Sequence, residues 1–569
     1  MSLIYQEIQS LKLLPIIFIS LICLTVHSAF AQTTQYQPRD TPYICNQQSD
    51  FTNLRFGPSA RKYPVIGTLA NGLQVEIINQ NITPEGYNYY FLSFSSPGYN
   101  NTMHGYVHED VLSDSCSLTP VYSAKIKNLA AKLGLANNEE VRKRILVNNA
   151  NYDGTALYLN HIQELRDITA LANEPDLQHL DLSHTDTYSV QALAALTQLK
   201  YLDLSNSKIR SIRSLAALSK LETLSLYETN VSTLPSMRQL KSLQVLNLYG
   251  TQINDLSELA HSQNLITLNL NNTSVHNIAV LAQLEEMRSL SLDNLRITDL
   301  TPIAHLKLLH YLTINNTRYG YVNPSPRIFN LEFLRHLKSL KHLEIDLENS
   351  TDISAFSDLS ALKRLTLTAP KVTKIAALAQ LPALTELNIS TEQVGDYSVL
   401  GSLKRLQNLY LDSTGQNELD GSQGFTALKR LRVDLENTQT IDGLEQLPAL
   451  RELVLFNADL PSYAALSRMQ QLEYLNMFDA NLADSSALAN LQNLTYLNLS
   501  NSGLTEVEGL AQLHLLEKLY LDRTQIHDLA PLTNLTQLKK LSLHHAPVSS
   551  LEPIQHLIDE GLSVDGFKQ

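Results

Sequence analysis

The side chains that could do chemistry in this sequence are two pairs of carboxylates, one pair of histidines and two cysteines. Asp181 and Asp203 lie 22 residues apart, as do Asp412 and Asp434. If 22 residues return the chain to an equivalent place one strand along, each pair stands about 5 Å apart. Carboxylates that close can hold Ca²⁺ or act as acid and base. No further ligand converges on either pair in sequence, and Arg430 and Arg432 could neutralise the second, so solvated acids are the expectation. His544-His545 lacks the third ligand a metal needs. HExxH, GxSxG, a Gly-rich phosphate loop and a Cys/His pairing are all missing. The expectation is therefore a protein that is not an enzyme, with no catalytic residues, no cofactor and no metal.

The remaining chemistry is recognition, and it belongs to aromatic residues. Phe456, Tyr474, Phe478, Tyr496 and Tyr520 recur in neighbouring units, with Lys518, Asp479, Asp522 and Arg523 among them. A second set, Tyr201, Tyr227, Tyr249 and Tyr311, is accompanied by Asp181, Asp203, Glu228 and Asp293. Aromatic side chains offer large contact area at low entropic cost, which suits a protein partner. Strand propensity alone would also place Tyr and Phe here, and both readings stand at this point. Tyr319 and Tyr321 sit with Pro324 and Pro326 in an insertion, another candidate contact element.

These residues are positioned by a repeat that dominates the chain. The frame L-x-x-L-x-L-x-x-T, as in Leu243, Leu246, Leu248 and Thr251, recurs with its first apolar residue at Leu177, Leu199, Leu221, Leu243, Leu265, Met287, Leu309, Leu340 and onward to Leu538. That makes seventeen units, each step 22 residues except the 31 between Leu309 and Leu340, with a degenerate unit around Leu157, Leu159 and Ile162 before them. One unit cannot bury its own leucines; stacked units bury a continuous spine and line up parallel strands about 4.8 Å apart. The expected sheet is roughly 80 Å long on its concave side. About a dozen residues remain for each return, too few for a crossover helix, so short 3₁₀ or irregular segments are expected. Outward strand positions carry no packing constraint in this scheme.

The array resembles the leucine-rich-repeat family, in particular the 22-residue bacterial class that includes the internalins. The resemblance implies an α/β solenoid with a parallel sheet on its concave face. The usual Asn after the strand appears here as Thr (Thr229, Thr251, Thr273, Thr317, Thr414, Thr524), Ser (Ser207, Ser502) or Ala (Ala458, Ala480, Ala546). Such hydroxyls would satisfy turn amides. Asp346 to Ser350 matches Asp434 to Thr438 four units later, which suggests a duplicated block. Residues 154–552 are assigned to the solenoid, 121–153 to a helical N-terminal cap with Ile126, Leu129 and Leu133 on one face, and 553–569 to a C-terminal cap.

Ahead of the array, Leu13 to Val26 is an apolar run after Lys12, followed by Ala29-Phe30-Ala31, so residues 1–31 read as a signal peptide cut before Gln32. An uncleaved anchor is the competing reading. No later run could span a membrane. Of three cysteines, Cys45 and Cys116 then remain, and export favours a disulfide between them over a reactive or metal-binding pair. Between them, Asn53-Leu54-Arg55-Phe56-Gly57-Pro58-Ser59, Val65 to Leu69 and Gly105-Tyr106-Val107 resemble the bacterial SH3-like (SH3b) family. The resemblance implies a small all-β barrel over 43–117, several relatives of which bind cell-wall peptides; Arg55 and Tyr106 would line a groove, or else pair locally and pack. The chain has no Trp, where the family carries it.

Composition bounds the partners. With 43 basic and 56 acidic residues the net charge is −13, which removes the broad basic surface nucleic acid needs. The sequence therefore points to an exported binding protein of the periplasm or envelope, or one released to the medium. Its repeats would bind a protein partner, with peptidoglycan a further ligand through the SH3-like part. A secreted adhesin or effector acting on a host protein is the alternative, and an accessory subunit of a wall-modifying enzyme is a third.

Overall fold

A computed structural model describes residues 124–135, 154–315, 330–394, 397–413, 424–435 and 440–567, with Val141, Ile145, Asn149 and Tyr152 in between. Of residues 1–123 it describes the backbone of seven short strands. Five of these form an antiparallel sheet in which Phe51–Arg55 pairs with Val65–Ala70 and with Thr102–His108, and Asn88–Ser95 lies between Thr102–His108 and Glu76–Ile82. The other two, Tyr43–Ile44 and Leu112–Ser113, pair with each other. The proposed signal segment, Cys45, Cys116, Tyr319 and Tyr321 lie outside the described residues.

The repeats form parallel strands in two compact units, Met1–Asn269 and Leu270–Gln569. Among the described residues the first holds six parallel strands, from Ala156–Tyr158 to Thr267–Asn269, and the second thirteen, from Ser289–Ser291 to Ser563–Asp565. Pairing is in register at the 22-residue step: Leu202 sits on Leu180 and Leu224, and Leu475 on Leu453 and Leu497. The register exists because only it stacks leucine on leucine, and a slip by one residue would turn the apolar set outward. The frame's first position is 0–5% exposed wherever it occurs from Leu177 to Leu538, and Leu246, Leu248, Ile253, Leu256 and Leu259 are buried as one unit's inward set. Each buried leucine stabilises the fold by about 1.5–3 kcal/mol. The return path is 3₁₀ helix, as at Ser257–His261 and Ala376–Gln380. Entry to these turns is fixed by an Asp or Asn two residues ahead, whose carboxylate or amide oxygen accepts a backbone N–H. Asp255 does so for Ser257 at 2.9 Å and Asp484 for Ser486 at 2.7 Å. Part of the chain's acidic excess is thus structural.

A second device ends the strands. His184, Asn206, Glu228, Asn272 and Asn294, and later Asn457, Asp479, Asn501, Arg523 and His545, have φ between +48° and +63°, and Gly250 occupies the same place at +67°. This left-handed residue turns the chain off the sheet, and in most of these units its amide reaches the next unit, as Asn206 N–H does to Tyr227 O at 2.7 Å. The following residue points inward. Where the position holds a residue that can pack inward instead (Leu347, Ala369, Thr391, Leu435), no left-handed turn forms and the strand runs on. Strands in this middle block are five or six residues long, for example His342–Asp346 and Glu386–Thr391, against three residues in Val245–Asn247 or Tyr496–Asn498.

The hydroxyls after the strand behave differently from expectation. They donate to a carbonyl three residues back rather than accept from turn amides: Thr229 to Leu226 O, Thr251 to Leu248 O and Thr524 to Leu521 O, each at 2.7 Å. The turn places the hydroxyl under its own strand, where the carbonyl is the near partner. At the ends, helix Ala124–Lys132 buries Ile126 and Leu129, and the 3₁₀ turn Glu552–Ile554 and the short α-helix Gln555–Asp559 lead into Ser563–Asp565, which pairs in parallel with Lys540–Ser542. The C-terminal segment therefore adds a strand to the sheet.

Replacing Thr251 by Val should lower stability by about 1 kcal/mol in denaturant unfolding. The hydroxyl bond is lost, while Leu248 O still accepts the Thr251 backbone N–H at 3.1 Å.

Candidate functional site

Each strand turns up to three residues to the open side of the sheet, and these columns are less free than the repeat alone suggests. At the middle position, Asp181, Asp203, Asn247, Asn476 and Asn498 use a side-chain oxygen to accept the N–H two residues on, at 2.8–3.1 Å. At the third position Asn271 Oδ1 accepts Asp293 N–H at 2.6 Å, and Asp293 Oδ1 accepts Asn315 N–H at 2.8 Å. A strand leaving the ladder exposes amides with no backbone partner, and short polar side chains supply one. Many acids and amides of this face therefore complete the backbone.

The first carboxylate pair departs from the solvated state expected for it. Asp203 is 7% exposed, accepting bonds from Ser205 N–H at 2.8 Å, Ser205 Oγ and Tyr201 OH at 3.2 Å. Asp181 is its ladder neighbour. Burial, and after it the Asp203 charge, raises the Asp181 pKa to about 7, with its bonds to Ser183 opposing. Burial raises Asp203 as well, against the bonds from Ser205 and Tyr201 and the charge of His184. Burial and then Asp181 push Tyr158 up to about 12, while burial lowers His179 and His184. In-register pairing causes this: like sits on like, and water is excluded between stacked side chains. Tyr201, expected to face a partner, is 9% exposed and bonded to Asp203, so it belongs to this network.

The other aromatics stack on one another. Tyr227 and Tyr249 lie 4.5 Å apart between ring centroids, Tyr311 and His342 4.6 Å, and Tyr474 and Tyr496 4.1 Å, with Tyr496 tilted at 5.4 Å from Tyr520. Strand spacing nearly equals stacking distance, so equivalent rings meet face to face. Ring faces are thereby covered and ring edges left to solvent. Burial and then the neighbouring tyrosines raise the Tyr496 hydroxyl. Phe478 is 43% exposed, Lys540 lies 5.8 Å from the Tyr520 ring and Arg432 4.4 Å from Phe456. The sequence brought Phe456, Tyr474, Phe478, Tyr496 and Tyr520 to one face, and the structure keeps them there.

The arginines beside the second carboxylate pair have other partners. Arg430 pairs with Glu452 at 2.7 Å and Arg432 lies over Phe456, while Asp434 accepts both bonds of Asn457 Nδ2 at 3.1 Å. Arg364 with Glu386 at 3.6 Å and Arg451 with Glu473 at 3.7 Å continue a self-neutralised ladder. Arg55 and Tyr106 are Cα partners across antiparallel strands. Among the described residues no three His, Cys, Asp or Glu gather as metal ligands, and no helix is long and apolar enough to cross a membrane.

Residues 211–457 match the leucine-rich repeat region family. Over those residues the array is similar to leucine-rich repeats. A leucine-rich-repeat protein of Leptospira interrogans matches with TM-score 0.52 and 24% identity over 70% of this chain and 98% of that one. An internalin of Listeria monocytogenes matches with TM-score 0.43 and 22% identity over 74% of this chain and 95% of the other. Among functionally curated proteins no sequence matches this chain. Within the leucine-rich repeats, reasoning from sequence missed the left-handed column and the strand-end caps. The recurrent Asn or Gly one place before the Thr or Ser, at Asn206, Gly250, Asn272 and Asn501, was the available signal.

A double-mutant cycle on Tyr474→Ala and Tyr496→Ala should return a coupling of about 1 kcal/mol, since each single change removes the same stack. The Asp181 prediction has a definite sign. An acid whose pKa is raised on folding penalises the native state above that pKa, so stability falls as pH rises from about 4 to about 7. Asp181→Asn keeps the Ser183 cap, as Asn247 does for Tyr249, and should gain at least about 1 kcal/mol at pH 8 relative to its effect at pH 4, read by urea unfolding.

Proposed function

We propose that this chain is an exported, non-catalytic binding protein that recognises a protein partner on the open face of its leucine-rich repeats. The observation that carries the reading is the aromatic surface over strands Glu452–Phe456 to Lys518–Tyr520. There Tyr474, Tyr496 and Tyr520 form one stack beside the exposed Phe478. Stacking fixes the rotamers in advance, so a partner meeting the ring edges has little side-chain entropy left to remove. The polar columns elsewhere are occupied by the chain's own amides, and the arginine–glutamate ladder by itself. Export rests on the signal-like segment 1–31 and on Cys45 and Cys116 as a disulfide. The antiparallel strands between those cysteines support a second contact, with peptidoglycan, that would hold the protein in the envelope. An adhesin or effector released toward a host protein would use the same face.

Fractionation of a bacterial host expressing the full-length chain should give a product beginning at Gln32 outside the cytoplasm, and retention on wall sacculi would separate the envelope scaffold from the released form. For partners identified by mass spectrometry, Phe478→Ala with Tyr496→Ala should weaken affinity at least about tenfold with far-UV circular dichroism unchanged. An affinity unaltered by that variant and by Tyr227→Ala with Tyr249→Ala would remove the face as the binding surface.

A further inference from the structure

The charges around the C-terminal aromatic stack are unevenly satisfied. The described carboxylates nearest the stack are engaged by the chain itself. Asp522 accepts Ser542 Oγ at 2.6 Å and His544 N–H at 2.7 Å, Asp479 accepts Asn501 Nδ2, Glu517 pairs with Lys539 at 2.8 Å, and Asp565 pairs with Lys540 at 3.2 Å. Glu452 and Glu473 are held by Arg430 and Arg451.

The cations are not matched in the same way. Lys518 is exposed and stands in register between Tyr496 and Lys540, so two lysines are direct partners across the ladder. Like charges placed directly across a ladder destabilise it, and among the described residues no carboxylate pairs with Lys518. Arg432 is exposed at the other end of the patch, resting on Phe456, and among the described residues no carboxylate pairs with it. Two unmatched cations therefore flank an aromatic surface whose own acids are already occupied.

We propose that this face docks an acidic, aromatic-containing segment of a protein partner, carboxylates meeting Lys518 and Arg432 and an apolar side chain meeting Phe478. The inference rests on the reading that the sheet face binds protein, and adds which protein chemistry it takes. A peptide fits better than a phosphate or sulfate polymer. Occupied acids interrupt the patch at Asp479, Asp522 and Glu473, and a net charge of −13 repels a uniform polyanion, whereas a peptide can place a few carboxylates between apolar contacts.

The test is fluorescence anisotropy with the full chain at about 50 mM salt, where surface charge is weakly screened. The probes are a labelled peptide of about twelve residues built from Glu, Ser and two Tyr, its Gln-for-Glu and Lys-for-Glu counterparts, a single-stranded oligonucleotide and a sulfated oligosaccharide. The expected result is a preference of about tenfold or more for the Glu peptide over the Gln peptide, eroded by salt and lost in Lys518→Glu with Arg432→Glu. Lys518→Gln, a milder change, should lose part of it. Equal binding of Glu and Gln peptides, or nucleic acid or sulfated sugar bound as tightly as the Glu peptide, overturns the inference. If Glu and Gln peptides bind equally and Phe478→Ala abolishes both, the acidic specificity fails and the binding face stands. If Phe478→Ala leaves all binding unchanged, both fail.

Discussion

Everything in this molecule follows from parallel strands paired in register at a fixed repeat, about 4.8 Å apart. Such a ladder puts each side chain beside its own equivalent. For leucine this is favourable, since Leu180, Leu202, Leu224 and Leu246 build one buried column. For tyrosine it is favourable too, because the spacing nearly matches stacked rings, as Tyr474 and Tyr496 show. For aspartate it is costly, and the cost appears as the raised pKa of Asp181 beside Asp203. Where Arg364, Glu386, Arg430 and Glu452 occupy one column, pairs of opposite sign relieve the repulsion that identical residues would suffer.

The second constraint is how a strand ends. A residue in the left-handed region costs roughly 1–2 kcal/mol unless it is Gly or Asn, yet the array uses the conformation repeatedly, at His184, Glu228 and Arg523 among others. The amides of His184, Glu228 and Arg523 each bond to the next unit, and the turn lets the following Thr, Ser or Ala pack inward. The middle block shows the alternative: with Leu347 or Ala369 at the same place, alternation continues and the sheet widens by two or three residues.

This explains which features could be read from the sequence. The repeat frame, the buried columns, the 3₁₀ returns and the neighbourhood of the C-terminal aromatics all follow from apolar periodicity, and Leu243, Leu246 and Leu248 stand where that period places them. The strand-end chemistry does not follow from it. Whether Asp203 is a solvated acid or a buried cap depends on how far its carboxylate reaches toward Ser205 N–H and on what Tyr201 covers. Likewise Thr251 could accept from an amide or donate to a carbonyl, and only the turn geometry decides for Leu248 O. The aromatic stripe left strand propensity and recognition as rival explanations; the stack gives ring faces to the fold and leaves edges outward, an arrangement compatible with either.

The same reasoning limits where binding can sit. A column already bonded to its own backbone can take a ligand only by breaking those bonds, and a buried polar group left without a partner costs about 1–3 kcal/mol. That weighs against the acidic columns near Asp181 and Asp293, however well their charge would suit a cation. A stacked tyrosine has no such debt, because its edge contacts are additional to the stack, and Phe478 stands clear of the columns that cap the strands. Recognition on this sheet, as proposed, would be set less by which residues are chemically able to bind than by which ones the fold has left unused.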